Sequence, residues 1–282
     1  MVTKIGIEIV KAVQSISNGF FDVFFSGVTM LGEEIFIILA LVFIYFAYDK
    51  KFGEYMGYSL LTSLLLNAGV KNIFKADRPF QADSSIINKR PETAGGFSFP
   101  SGHTQGATAV FSSAYVYKRK KWLLIVGLIA CFLVAISRLY LGVHFPKDVI
   151  VGFILSVLVS ILCFWVIKKF EKQKLLAFAL TGVIFIPMLF FAETKDFFTN
   201  FGLYYGFVAG VFVENKFINF ENTKVWWKKV LRIVIALALV MAVKEGFKLF
   251  LPAANWAHLL RYFAISFVGI GVTPLLIKLF KI

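Results

Sequence analysis

Three short clusters interrupt an otherwise apolar chain between residues 71 and 148. They read Lys71-Asn-Ile-Phe-Lys-Ala-Asp-Arg78-Pro79, then Pro100-Ser101-Gly102-His103, then Ser137-Arg138-Leu-Tyr-Leu-Gly-Val-His144-Phe-Pro146-Lys-Asp148. In them Lys71, Arg78 and Arg138 are permanent cations, His103 and His144 are imidazoles, and Asp148 is a carboxylate. Cations gathered at one depth repel one another unless an anion joins them. A phosphate, whose oxygens match a guanidinium bidentately, is the natural guest. Ser101-Gly102 opens an apolar stretch, where unpaired backbone N–H groups and the helix dipole favour an anion, and glycine lets a ligand come close to the backbone. His144 and Asp148 are four residues apart, with Pro146 suited to the first turn of a helix. The carboxylate can therefore hold one ring nitrogen and leave the other facing phosphorus. His103 is a second imidazole, free to give a proton to a leaving oxygen. Nowhere do Cys, His and carboxylates fall at metal-ligand spacing, so neither a metal nor a cofactor is expected.

Each residue alone has a plainer reading. Lysine and arginine at the end of an apolar run commonly snorkel to headgroups, and Ser-Gly is an ordinary helix start. The joint coincidence of type and spacing carries the argument.

What positions the clusters follows from composition. The chain has 282 residues, 59% hydrophobic, 17% aromatic and 16% charged. With a mean hydropathy of +0.79, that is an integral membrane protein. The net charge of +14 lies in basic segments between apolar runs, which argues for loops facing a cytoplasm and against nucleic acid as a partner. Cys131 and Cys163 fall inside apolar runs and read as small buried hydrophobes. No cleavable signal peptide is evident at the start of the chain.

Apolar periodicity predicts a polytopic, all-α membrane helix bundle of about nine spans, near residues 31–48, 55–74, 101–117, 122–141, 148–169, 175–192, 198–213, 229–250 and 256–277. Residues 1–30 are expected to form an interfacial helix, 31–174 the catalytic bundle and 175–282 an additional four-helix region. The 75–101 loop is long and polar, the kind that carries function. With this layout one side of the membrane holds 17 of the 30 Lys and Arg but 5 of the 16 Asp and Glu. The positive-inside rule makes that side cytoplasmic, which puts all three clusters on the extracytoplasmic face.

The clusters resemble the signature of the type 2 phosphatidic acid phosphatases (PAP2): K-x6-R-P, P-S-G-H and S-R-x5-H-x3-D, every position filled in order with the expected spacing. The resemblance implies a PAP2-type helical core and a metal-free route through a phosphohistidine. By it His144 is the nucleophile and Asp148 its orienting partner. His103 protonates the leaving group, and Lys71, Arg78, Ser101, Gly102 and Arg138 bind the phosphoryl oxygens. The last four spans have no counterpart in six-span members. In span number the chain is similar to the sphingosine-1-phosphate phosphatase and glucose-6-phosphatase branches.

The expected function is hydrolysis of a lipid phosphate or diphosphate in a bacterial plasma membrane, with undecaprenyl (polyprenyl) diphosphate preferred because recycling that carrier needs an outward-facing site. Phosphatidic acid, phosphatidylglycerol phosphate and sphingoid phosphates are alternatives, as is lipid phosphotransfer to another hydroxyl. A non-enzymatic lipid or anion transporter is the third class, but no internal repeat is visible and the charges sit at span ends. His258 belongs to no such cluster and reads as structural. Lys75, Lys89 and Arg90 read as solvated loop charges, with contact to a second phosphate as the rival. Gly202, Gly206 and Gly210 form a small-residue stripe, either an internal seam or a homodimer seam.

Overall fold

The computed structural model describes residues 4–282, and residues 1–3 of the expected N-terminal helix lie outside them. Among the described residues all regular structure is helical: α1 (Lys4–Gln14), α2 (Gly19–Thr29), α3 (Glu34–Phe43), α4 (Lys50–Phe74), α5 (Pro79–Ala82), α6 (Gly102–Lys118), α7 (Lys121–Tyr140), α8 (Pro146–Lys169), α9 (Lys174–Val183), α10 (Lys195–Val213), α11 (Trp226–Phe250), α12 (Asn255–Phe267) and α13 (Thr273–Leu279).

A helix occupies every stretch expected to span. By length and apolarity alone four segments can cross a membrane: Lys121–Tyr140, Pro146–Lys169, Glu171–Phe190 and Asn255–Leu279. A fifth is the pair Gly19–Gly32 and Glu34–Tyr48, bent by 48° at its break, if that pair is one span. One helix that falls short, α4, has polar residues for a physical reason. Through its middle α4 is buried, and it carries Ser59, Thr62, Ser63 and Asn67 among its buried residues. A helix that touches protein rather than lipid can hydrogen-bond such groups. By contrast α7 and α8 expose Ile125, Ile129 and Phe132, and Ile150, Leu158 and Leu162, an apolar surface suited to lipid.

The chain divides into two compact units, and α3, α4 and α8 each run from one into the other. The first holds residues up to Ile37 and Leu66–Ile161. Here α6 packs on α7, and α1 and α2 also lie against α7. The segment expected as one interfacial helix is thus two, broken at Ser15–Asn18, with Asn18 Oδ1 capping α2 by accepting from Phe21 N at 3.0 Å. Val10 of α1 is buried with Ile86, Leu139, Phe145 and Val149, while Phe25 of α2 packs on Tyr140, Leu141 and Val143.

The polar 75–101 loop is pinned to this pair of helices. Gln14 donates to the carbonyls of Ile87 (2.7 Å) and Tyr140 (3.0 Å), and Lys11 pairs with Asp83 at 2.7 Å. Lys89 pairs with Asp22 at 2.8 Å, and Arg90 donates to the Ser26 carbonyl at 2.8 Å. Neither Lys89 nor Arg90 is the solvated loop charge expected: both are half-buried and hold the loop down. The Lys89 ammonium keeps the Asp22 carboxyl below its usual range, with the Tyr140 hydroxyl adding to the effect.

The second unit holds Ile38–Leu65 and Leu162–Ile282. Its main seam is α10 on α12. A Cβ at Gly202 would sit 2.2 Å from the Leu259 carbonyl oxygen, and one at Gly206 would sit 2.3 Å from that of Phe263. A Cβ at Gly210 would lie less tightly, 3.0 Å from Ile270 Cβ and 3.1 Å from Gly271 N, in the turn that continues α12. The small-residue stripe is therefore an intramolecular seam. A homodimer through these glycines is set aside because α12 already fills that face. His258 lies on α12 above Tyr262, with Arg261, Lys195 and Asp196 the charges that act on its ring. Charged residues near the ends of these helices pair within this unit. Lys50 meets the buried Glu214 at 2.7 Å, Lys174 meets Glu54, and Asn215 donates to Glu54 at 2.9 Å.

Candidate active site

All eight residues singled out in the sequence lie in the first unit, each delivered by the end of a helix or by the turn beside it. Lys71 ends α4, and Arg78 follows four residues after that helix stops. Arg138 is in the last turn of α7, and His144 sits in the tight turn that leads to Pro146, the first residue of α8. That turn needs Gly142 at φ +71°, where a Cβ would meet the Ile87 carbonyl oxygen at 2.4 Å. Ser101 caps α6, its Oγ accepting from the Thr104 hydroxyl at 3.1 Å. Gly152 lets α8 approach the Ser101 backbone closely, and Ser101 N donates to the Asp148 carbonyl at 2.9 Å. That bond ties α6 to α8 and commits the Ser101 amide.

The three cations are buried: Lys71 is 6% exposed, Arg78 2% and Arg138 fully enclosed. Backbone oxygens stand where an anion would. Arg78 donates to the carbonyls of Gly96 (Nε, 3.0 Å), Gly95 (Nη2, 2.7 Å) and Val143 (Nη1, 2.9 Å). The Lys71 ammonium donates to Phe97 O. Arg138 donates to the hydroxyls of Thr29 (2.7 Å) and Thr93 (3.4 Å), and its Nε is buried with no hydrogen-bond partner. Buried guanidinium N–H without an acceptor is costly, and it marks where an incoming oxygen gains most.

His144 is 2% exposed, and its two nitrogens face different surroundings. Nε2 lies 3.4 Å from Arg78 Nη1, on the cationic side. Nδ1 lies 3.5 Å from Asp148 Oδ2 and 3.4 Å from Ser98 Oγ. The same Asp148 oxygen accepts from Ser98 Oγ at 2.6 Å and from Phe145 N at 2.9 Å. The Ser98 proton is thus committed to the carboxylate, which leaves the Ser98 oxygen and the carboxylate to receive Nδ1–H. This fixes the tautomer that keeps the Nε2 lone pair toward the cations. Burial, reinforced by Arg78, Arg138 and Lys71, pushes the imidazole well below its ordinary value, so the ring is neutral at pH 7. An electron pair aimed into a nest of cations is what attack on a phosphoryl group requires.

His103 stands on the first turn of α6. Arg138, His144, Lys71 and Arg78 all act electrostatically on its ring. Its Nε2 is buried without a hydrogen-bond partner and lies 3.9 Å from Glu33 Oε1. Gly102 closes the cap beside it, with Asn67 Oδ1 3.5 Å from where its Cβ would be.

Reading the sequence missed Ser98, Thr29, Thr93, Glu33 and the carbonyls of residues 95–97. Ser98 carries no signal in one sequence. Glu33 does, as a carboxylate at the start of an apolar stretch, where ionisable side chains are expensive. Among the described residues, no three His, Cys, Asp or Glu lie close enough together to hold a metal ion.

Fold and site define an integral-membrane hydrolase acting on phosphoester bonds. Comparisons with known proteins supply the family. The PAP2 superfamily model matches residues 53–172, and a second, described as the PAP2 superfamily phosphatase transmembrane extension, matches 198–282. Phosphatidylglycerophosphatase B of Bacillus subtilis is 32% identical over 58% of this chain and 81% of its own length. An undecaprenyl-diphosphatase of Sulfolobus acidocaldarius is 30% identical over 50% of this chain and 70% of its own length. The crystal structure of LpxE from Aquifex aeolicus superposes with a TM-score of 0.53 at 23% identity, covering 57% of this chain and 96% of that one, a likeness of fold. The chain belongs to the PAP2 superfamily.

The Asp148–Ser98–His144 arrangement makes a kinetic prediction. Asp148→Asn keeps the size of the side chain but removes the charge that stabilises the ring as it becomes positive. It should lower kcat by ~10²-fold or more with KM moved far less. Ser98→Ala should lower kcat by a smaller ~10–100-fold, as loss of an outer-shell orienting group does. Steady-state kinetics of the purified variants decides. A near wild-type kcat for Asp148→Asn would reduce that residue to a helix-start carboxylate.

Proposed function

We propose that the chain hydrolyses a lipid phosphate or diphosphate at the extracytoplasmic face of a bacterial plasma membrane, by way of a phosphohistidine at His144. Polyprenyl diphosphate is the foremost substrate. The observation that carries the reading is the divided environment of His144: Nε2 beside Arg78, with Arg138 and Lys71 also acting electrostatically on the ring, and Nδ1 backed by Asp148 and Ser98.

In the first step the Nε2 lone pair forms a bond to phosphorus while the bond to the leaving oxygen breaks. That oxygen keeps the electron pair and takes the proton of His103. Lys71, Arg78 and Arg138 hold the three non-bridging oxygens, with the start of α6 at Ser101-Gly102 beside them. In the second step a water oxygen attacks phosphorus as His103 removes its proton. The P–N bond then breaks, its electron pair returns to Nε2, and inorganic phosphate leaves. The fixed cations supply the charge neutralisation that a metal ion gives elsewhere. Transfer to a hydroxyl in place of water would use the same intermediate.

The nine-span layout belongs to this reading. Helices cover all nine stretches, and the Lys and Arg asymmetry puts the clusters outside. Residues 31–174 form the catalytic bundle and 175–282 the added membrane region, in keeping with the two family models. The preference for a polyprenyl diphosphate rests on the outward-facing site and on the undecaprenyl-diphosphatase relative. Phosphatidylglycerol phosphate is the rival, on the strength of the phosphatidylglycerophosphatase B relative.

Phosphate release by the purified chain in detergent, with EDTA present, tests the reaction and its substrate together. Undecaprenyl diphosphate should give the highest kcat/KM in a panel with phosphatidylglycerol phosphate, phosphatidic acid and a sphingoid phosphate. Complete loss in EDTA, restored by Mg²⁺, would contradict the mechanism, and a phosphatidylglycerol phosphate optimum would replace the substrate. For orientation, Ile87→Cys, 63% exposed in the 75–101 loop, should react with an impermeant thiol reagent in intact cells. Lys120→Cys should not, and the reverse pattern would turn the site to the cytoplasm.

A further inference from the structure

Glu33 is the acidic side chain paired with the ring of His103, and the mechanism above gives it no task. It follows the short 3-10 turn Met30–Gly32 and precedes α3. Gly32 brings this stretch hard against α6, since a Cβ there would lie 2.5 Å from the His103 carbonyl oxygen. Glu33 Oε1 is buried, 3.9 Å from His103 Nε2 and 3.0 Å from Arg90 Nη1. Arg90 is itself held by Glu92 (2.8 Å) and the Ser26 carbonyl (2.8 Å), so the carboxylate has a fixed support from the loop.

A general acid must carry a proton before it can give one up. His103 is placed badly for that. Arg138 of α7, Lys71 in the last turn of α4 and Arg78 just beyond that helix all bear on its ring, and each of these permanent cations opposes a positive imidazole. A phosphoryl group removes part of that opposition when it binds. It then leaves again at each turnover, so a permanent counter-charge is needed. At 3.9 Å the Glu33 carboxylate is too far to take the proton in a hydrogen bond, yet near enough for its charge to act through a buried medium.

We propose that Glu33 is the counter-charge that keeps the proton on His103, a positioning residue for protonation of the leaving group. The proposal rests on His103 being the general acid. Glu33 also bears electrostatically on Arg138, which gives the rival assignment: support of an oxyanion-binding cation.

The test uses two substrates that differ in their need for a proton. A lipid monophosphate expels an alkoxide, which must be protonated, whereas p-nitrophenyl phosphate expels a phenolate that need not be. With the purified full-length chain, Glu33→Gln should lose ~10-fold or more in kcat on the lipid monophosphate and under ~3-fold on the aryl phosphate. Glu33→Asp, which keeps the charge, should recover most of the loss. Inhibition by vanadate should be unchanged, and Glu33→Gln should add nothing in a His103→Ala background. Equal losses on both substrates, or weakened vanadate inhibition, would assign Glu33 to Arg138 or to folding and overturn the proposal. If His103→Ala itself shows no dependence on the leaving group, the general-acid reading fails and takes this proposal with it. If His103→Ala shows that dependence and Glu33→Gln does not, Glu33 alone is wrong.

Discussion

Three permanently charged side chains buried around one imidazole are the constraint on which the first unit depends. Lys71, Arg78 and Arg138 repel one another, and burial removes the water that would screen them. The protein answers with oxygen dipoles in place of a counter-ion. Carbonyls of Gly95, Gly96, Phe97 and Val143 and hydroxyls of Thr29 and Thr93 take the donors. Dipoles can hold cations in place without neutralising them, so a net positive field remains at His144. A phosphoryl group entering that field gains more than it would beside exposed lysines, because the dielectric is low and the cations are already held in place.

This constraint explains why the 75–101 loop is bound so firmly. Its backbone supplies the oxygens at residues 95–97, its Ser98 supplies the link between His144 and Asp148, and its Thr93 serves Arg138. A loop with those duties cannot be left to solvent, and Gln14, Asp22 and Ser26 of the first two helices pin it from outside. The N-terminal helices thus act on the site through the loop rather than merely resting at the membrane surface.

The candidate site residues were legible because ionisable side chains are uncommon in apolar sequence. Lys71, Arg78, His103, Arg138, His144 and Asp148 stand out as ionisable residues at the ends of apolar stretches, and the four-residue step from His144 to Asp148 encodes their approach. Their supports were illegible for the opposite reason. Ser98, Thr29 and Thr93 are common polar residues whose meaning comes only from tertiary contact, and backbone carbonyls have no sequence signature at all. Arg90 and Lys89 looked solvated because one sequence does not reveal that α1 and α2 fold over the loop. The glycine stripe showed that a close helix approach was needed but not which helix would make it, and α12 filled that place. Helices α4 and α6 carry buried serine, threonine and asparagine that lipid would reject, which a helix enclosed by protein can keep.

The account stands or falls on a bond between His144 and phosphorus. The direct measurement is rapid acid-free quenching of the enzyme with a ³²P-labelled lipid phosphate, followed by peptide mapping of the label. The account predicts a phosphoryl group on the peptide carrying His144, stable to alkali and lost in acid, present in Asp148→Asn at reduced rate and absent from His144→Ala. Label on a serine or carboxylate, or full turnover by a folded His144→Ala protein, would contradict it.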